Sequence, residues 1–296
     1  MVAQMSPLSL FHRKTLKGIL NLSKTAPTPD IHFILGELPM EGKVHRDMFS
    51  LFFSVWSNPD SKIYEIIKYL LSTSPDNSRT WAINLRHISK MYGMEDPLSC
   101  LIRDPPSKSE YKEAVFTMIL AFHEKELRNL AATNSKMNYL NVSLAGLRGK
   151  HHPSLSNLIT TEEVRKLRPH LKILTGDYLT YQTKFEQTSQ GNPLCRIYRY
   201  ENETICHILA ICPAFNSIRS RILYEMAEVC KTSISKVDFQ LILENPETMT
   251  QFILDPTSFN LERRLNISDP IVATMFQLSR DIGYLIPKTR TKLLEE

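Results

Sequence analysis

The sequence predicts a mainly α protein: helical bundle segments, a small Cys/His knuckle, and little or no β-sheet. Three observations carry that prediction. Leu, Ile, Lys and Glu dominate the periodic segments, a composition suited to amphipathic helices. Only nine glycines occur in 296 residues. Apolar residues recur at i, i+3, i+4 and i+7 in several windows, while strand-like alternation is confined to short pieces such as Leu194–Tyr200.

In order along the chain, residues 11–24 form a short basic amphipathic stretch. TAPTPD then predicts a break, and IHFILGELPMEGK carries a further Gly and Pro stop. From His45 to Trp56 the chain is densely apolar, which suits a helix buried on most sides. Ile63, Ile66, Ile67, Leu70 and Leu71 mark one helix; Trp81, Leu85, Ile88 and Tyr92 mark the next, stopped by Gly93. Asp104-Pro105-Pro106 is the best linker candidate. Ser107 with Glu110 reads as a capping box opening a long helix to about Ala132. A second helix is expected over roughly 137–147, and Thr160/Thr161 with Glu162-Glu163 start a short one through Leu167. Asn216 to Cys230 is helical, Pro246 opens a helix ending near Leu254, and Pro270 opens one running to Leu285. This suggests four segments, 1–103, 104–147, 148–230 and 231–296.

Hydrophobic residues make up 42% and charged residues 23%, which excludes a disordered chain. The net charge is only +5, but residues 144–185 hold seven Lys/Arg against three Asp/Glu. Five cysteines (100, 195, 206, 212, 230) do not make a secreted disulfide framework, and three of them cluster beside a histidine. Without an apolar leader at the N-terminus or a run of roughly 20 apolar residues, an intracellular protein, cytoplasmic or nuclear, with no membrane partner is expected.

Catalytic signatures are missing. Neither a phosphate-binding Gly-x4-Gly-Lys-Ser/Thr loop nor Gly-x-Gly-x-x-Gly occurs. A Gly-x-Ser-x-Gly elbow is absent too. His123-Glu124 begins like a zinc-protease helix, but Leu127 stands where the second histidine belongs. No Asp-Asp pair offers a two-metal site. A non-enzyme is expected.

The strongest motif is Cys195-x2-Tyr198-x8-His207-x4-Cys212. With cysteine at 198 it would be a Cys-Cys-His-Cys zinc knuckle, closed by a tetrahedral metal. A phenol is not a standard zinc donor, so the site is degenerate at Tyr198. A three-ligand zinc site, a site rescued by Cys206 and a metal-free relic all remain open. Adjacent residues on a helix point about 100° apart, which favours Cys206 as a small packed side chain instead. The basic stretch also has two readings. Arg148, Lys150, Arg165, Arg168, Lys172 and Lys184 either neutralise phosphates or form a solvated helix face. Tyr178, Tyr181 and Phe185 either stack on bases or pack in a core.

Leu174-Thr175-Gly176, Cys195, His207, Cys212-Pro213 and Arg219 together resemble the C-terminal region of LINE-type (non-LTR) retrotransposon reverse transcriptases. The N-terminal segment LKGILNLSKTAPTPDIHFILGELPMEGKVHRDMFSLFFSVW is similar to their thumb and post-thumb, and TQFILDPTSFN…FQLSRDIGYLI to the ends of jockey-like elements. The resemblance implies that segment 1–103 is thumb-like, that Lys14, Lys17 and Arg46 contact backbone phosphate, and that the partner is RNA or DNA. It also implies that catalysis belongs to a palm and an endonuclease of a parent polyprotein, neither of which this sequence contains. The competing expectation is a helical protein-interaction remnant without nucleic-acid binding.

Overall fold

The computed structural model describes residues 7–133, 139–142, 147, 149–259 and 269–295. Among them the chain is mainly α-helical, and the only β pairing is an isolated antiparallel bridge between Leu194 and Asn202. Two compact units emerge. Residues 1–12 and 37–129 form the first; residues 13–36 and 130–296 form the second. The Asp104–Pro106 segment lies inside the first unit, not between the two.

The first unit contains α3 (Met40–Trp56), α4 (Lys62–Thr73), α5 (Trp81–Met91), α6 (Pro97–Leu101) and most of α7 (Lys108–Ala132). It begins with the start of α1 (Pro7–Ile19). α3 buries Phe49, Phe52, Phe53, Val55 and Trp56, but Leu51 is exposed, so the helix is covered on one side only. Against this face α7 packs Tyr111, stacked on Phe53 with ring centroids 4.9 Å apart. Trp56 donates its indole N–H to the Arg103 carbonyl at 2.9 Å. The capping box opens α7 as expected: Glu110 N donates to Ser107 Oγ, and Ser107 N to the Glu110 carboxylate. Gly42 is required where it sits, because a Cβ there would come 2.8 Å from the His123 ring.

The second unit is built on α2 (Thr28–Leu35), α8 (Thr161–Leu174), α9 (Tyr181–Thr188), α10 (Asn216–Cys230), α11 (Lys236–Glu244), α12 (Pro246–Leu254) and α13 (Asp269–Glu295). α13 is its spine and packs against α8, α10 and α12. The TAPTPD segment does not simply break the chain. Its last three residues form the first turn of α2, where a proline loses nothing because that N–H has no partner in a helix. α2 then buries Ile31, Phe33 and Ile34. Gly36 ends it at φ +63, and an ideal Cβ there would strike the Lys150 carbonyl at 2.3 Å.

Two helices outrun the sequence expectation. α8 continues through Pro169 to Leu174, and α13 through Pro287 to Glu295. An interior proline costs about 3 kcal/mol. Burial of a large aliphatic side chain contributes about 1.5–3 kcal/mol, and α8 buries Leu171, Ile173 and Leu174 beyond its proline. The expected helix over 137–147 does not form where it can be followed: Tyr139–Val142 are turn and bend, with Gln251 donating to the Tyr139 carbonyl and Asn141 N donating to Asp255. The rest of that window falls largely outside the described residues.

Arg280 of α13 is fully buried. Its guanidinium donates to both the Glu163 carboxylate of α8 and the Ser154 carbonyl. His170 stays neutral beside it: burial first, then Arg280, push its pKa down to about 3. Arg280→Ala removes the buried guanidinium and leaves Glu163 with only Lys166 beside it, and should lower stability by about 1–3 kcal/mol, read from the urea midpoint.

Asp30 is different. It is fully buried, and neither carboxyl oxygen has a hydrogen-bond partner. Burial raises its pKa to about 8, so the folded chain holds a proton that the unfolded chain releases near pH 4. Stability contributed by this proton is therefore complete below pH 4 and falls as pH rises towards 8. Asp30→Asn should flatten that slope, which denaturant midpoints at pH 5 and pH 8 would reveal.

Candidate metal centre

The Cys195 side of the site is a hairpin too short to make a sheet. Glu203 N donates to the Pro193 carbonyl, and Cys195 N to the Glu201 carbonyl. The chain reverses between them. Arg199 N donates back to the Cys195 carbonyl at 2.7 Å, and Arg199 itself sits at φ +66. Within this turn Tyr198 N donates to Cys195 Sγ at 3.4 Å. An N–H aimed at a cysteine sulfur stabilises the thiolate form, the form a metal needs.

The other side comes from a wide helical turn. Thr204 Oγ1 accepts from His207 N at 2.9 Å and starts it. Residues His207–Ile211 then wind as a π turn, closed by Cys212 N donating to the His207 carbonyl at 2.7 Å. Such turns are uncommon and concentrate at functional sites. Arg219 of α10 holds the far end: buried, it donates to the Leu209 and Cys212 carbonyls. Arg219 was legible only through resemblance; its role is to satisfy carbonyls that the π turn leaves free.

These two pieces bring Cys195, His207 and Cys212 together. Their ligand atoms lie within 4.8 Å of one another, and all three residues are buried. Glu201 accepts from or pairs with His207 Nδ1 at 3.0 Å. That leaves Nε2 buried with no hydrogen-bond partner. A buried imidazole grouped with two thiols, with one nitrogen oriented by a carboxylate and the other without a partner, is a donor arrangement suited to a metal. Burial, then the neighbouring Cys195, pushes the Cys212 thiol up to about 11. A bound cation would reverse this preference by stabilising the thiolate. The donor set of two sulfurs and one imidazole fits zinc.

Cys206 does not belong to the group. Its thiol meets Thr250 and Glu247 of α12, and burial raises it to about 12. Adjacent positions on the turn diverge, so when His207 faces the site Cys206 faces α12. The metal set is therefore three residues, not four.

The expected phosphate contacts are scattered. Lys14, Lys150, Arg168 and Lys184 are exposed, and Lys172 is half-buried. Lys17 donates to the Lys24 and Ala26 carbonyls, so it closes its own loop. Arg46 is exposed beside Asp47 in the first unit. Arg165 donates to the Tyr284 hydroxyl and lies over that ring. Arg148 lies outside the described residues. Tyr178 is half-buried, and burial raises its pKa.

Sequence reasoning passed over Arg196, Arg199 and Tyr200 beside the site. Arg196, Tyr198, Arg199 and Tyr200 all stand exposed on the Cys195 turn, Tyr200 at 81%. Two guanidiniums lie over the Tyr181 ring, Arg196 at 4.6 Å and Arg290 at 5.1 Å from its centroid. The signal was present as Arg-Ile-Tyr-Arg-Tyr, cationic and aromatic residues interleaved within one turn. It lay outside the basic stretch and was masked by the missing cysteine.

No helix among the described residues is long and apolar enough to cross a membrane. Comparisons with protein families, curated proteins and solved structures find no match to this chain.

Three substitutions separate the roles around the site. Cys212→Ala should abolish zinc binding, and Cys206→Ala should keep it, by metal analysis of purified protein. Glu201→Gln should weaken affinity about 10–100-fold in a chelator competition, because it removes the charge that orients His207.

Proposed function

We propose that this chain is a non-catalytic nucleic-acid-binding segment in which zinc closes the Cys195–His207–Cys212 knuckle. The metal's chemistry there would be a cross-link between the Cys195 turn and the π turn. The observation that carries this reading is the convergence of two buried thiols and the His207 imidazole, whose Nε2 is buried without a hydrogen-bond partner. It sits directly beneath a turn that exposes two arginines and two tyrosines.

Guanidinium groups pair with phosphate, and exposed tyrosines offer faces on which unpaired bases stack. A turn this small cannot enter a duplex groove as a helix does, so single-stranded RNA or DNA suits it best. The resemblance of the knuckle and its flanks to the C-terminal region of LINE-type reverse transcriptases supports the same reading. In that setting the segment would help a separate polymerase region hold its template or target.

Filter binding to single-stranded RNA at low and moderate salt is the test. Affinity should fall with salt. Replacing Arg196 and Arg199 together by Ala should flatten the log–log slope by about 1.4, at about 0.7 per phosphate contact on a single strand. Tyr200→Ala should cost about 1–3 kcal/mol of binding. Absence of binding, or binding indifferent to salt, overturns the proposal.

One observation favours a second reading, a protein-interaction segment. α4 exposes Ile63, Ile66 and Tyr69, which the helical repeat places along one face. Concentration-dependent self-association without RNA affinity would support it.

A further inference from the structure

The knuckle has one donor fewer than a closed zinc site, and the structure indicates what becomes of the missing position. Zinc takes four ligands, and structural sites fill all four from protein. Among the described residues the group that converges has three members. Two residues are near enough to be considered for the fourth. Cys206 is turned towards Thr250 and Glu247 and is unavailable. Tyr198 is in the right register, since its N–H donates to Cys195 Sγ as the second residue of a Cys-x2-Cys turn would. Its side chain is not used as a ligand would be. The ring lies alongside the His207 imidazole, planes 27° apart and centroids 6.1 Å apart, with 37% of the residue exposed. A tyrosine carries its hydroxyl at the far end of the ring, well past where a cysteine sulfur would stand.

We propose that the Cys195–His207–Cys212 centre binds its metal with three protein donors and takes an exchangeable small ligand from solution, a thiolate or water, as the fourth, with the Tyr198 ring lying over the imidazole ligand as a cover. The inference rests on the metal reading above. Two thiolates and an imidazole make a soft, neutral zinc centre, and a soft centre prefers a sulfur donor when one is offered. Three protein ligands with one open position is the pattern of reactive zinc sites, not structural ones. The three donors are themselves buried, so a small thiol is the outside ligand suited to test the open position.

Cobalt(II) in place of zinc makes the coordination visible. The full chain, loaded with cobalt, should show thiolate-to-metal charge transfer. Titration with 2-mercaptoethanol should increase that band and shift the visible bands saturably. Tyr198→Phe should respond as the wild type does. Tyr198→Cys should carry the stronger band from the start and ignore added thiol. A wild-type spectrum that ignores the thiol overturns the inference while leaving the metal reading intact. So does a response that appears only in Tyr198→Phe, because the phenol would then be the ligand. A chain that shows no thiolate-to-cobalt charge transfer overturns the metal reading and this inference together.

Discussion

Two guanidinium groups on one helix must find carboxylates away from water, and the second unit is arranged around that need. Arg280 and Arg290 lie ten residues apart on α13. Arg280 reaches Glu163 of α8 and fixes the central helix pair. Arg290 makes a bidentate pair with Glu203, which is itself buried, at 3.0 and 2.6 Å. Glu203 also accepts from Tyr181 N, the first residue of α9. One helix thus anchors the core at one level and the closing strand of the metal hairpin at the next. Pairs of this kind contribute little when compared with good apolar packing. What they supply here is position, and losing Arg290 would leave the Glu203 carboxylate without its cation in a water-poor interior.

The candidate metal centre inherits its geometry from this frame. Glu203 pins the end of the hairpin, Thr204 then starts the π turn, and Arg219 satisfies its carbonyls. His207 and Cys212 are presented by backbone that neighbouring helices hold in place. A metal would complete this arrangement, which is why His207 Nε2 is a better indicator than the cysteines. Buried thiols are ordinary packing groups, whereas a buried ring nitrogen without a partner is costly.

The first unit follows a different logic. Its interior is aromatic and carries a short polar relay. Tyr92 bridges two histidines, with His45 Nδ1 at 2.7 Å and His123 Nε2 at 2.9 Å from its hydroxyl. Sequence suggested a broken zinc-protease motif at His123-Glu124. The structure assigns His123 to this relay, against Gly42, with no second imidazole on its own helix turn. A helix start was easier to read. The Ser107/Glu110 box, the Thr160 cap and the prolines that open α12 and α13 are local chemistry, complete within a few residues.

By itself the sequence determined the helical class, most helix starts, and a short set of candidate metal donors that includes Cys195, His207 and Cys212. Each depends on interactions between residues close in the chain: caps, periodicity, and a ligand spacing confined to eighteen positions. Tertiary structure decided how far α8 and α13 run past their prolines; in α8 the burial of Leu171 and Leu174 outweighs Pro169. It also separated His207 from Cys206, one turned to the thiols and one to α12. Long-range partners made those choices: Glu163 lies 117 residues from Arg280, and Glu203 lies 87 from Arg290. The same holds for the exposed arginines and tyrosines of the Cys195 turn. Their sequence announced charge and rings, but only the folded hairpin put them together beside the Cys195–His207–Cys212 group.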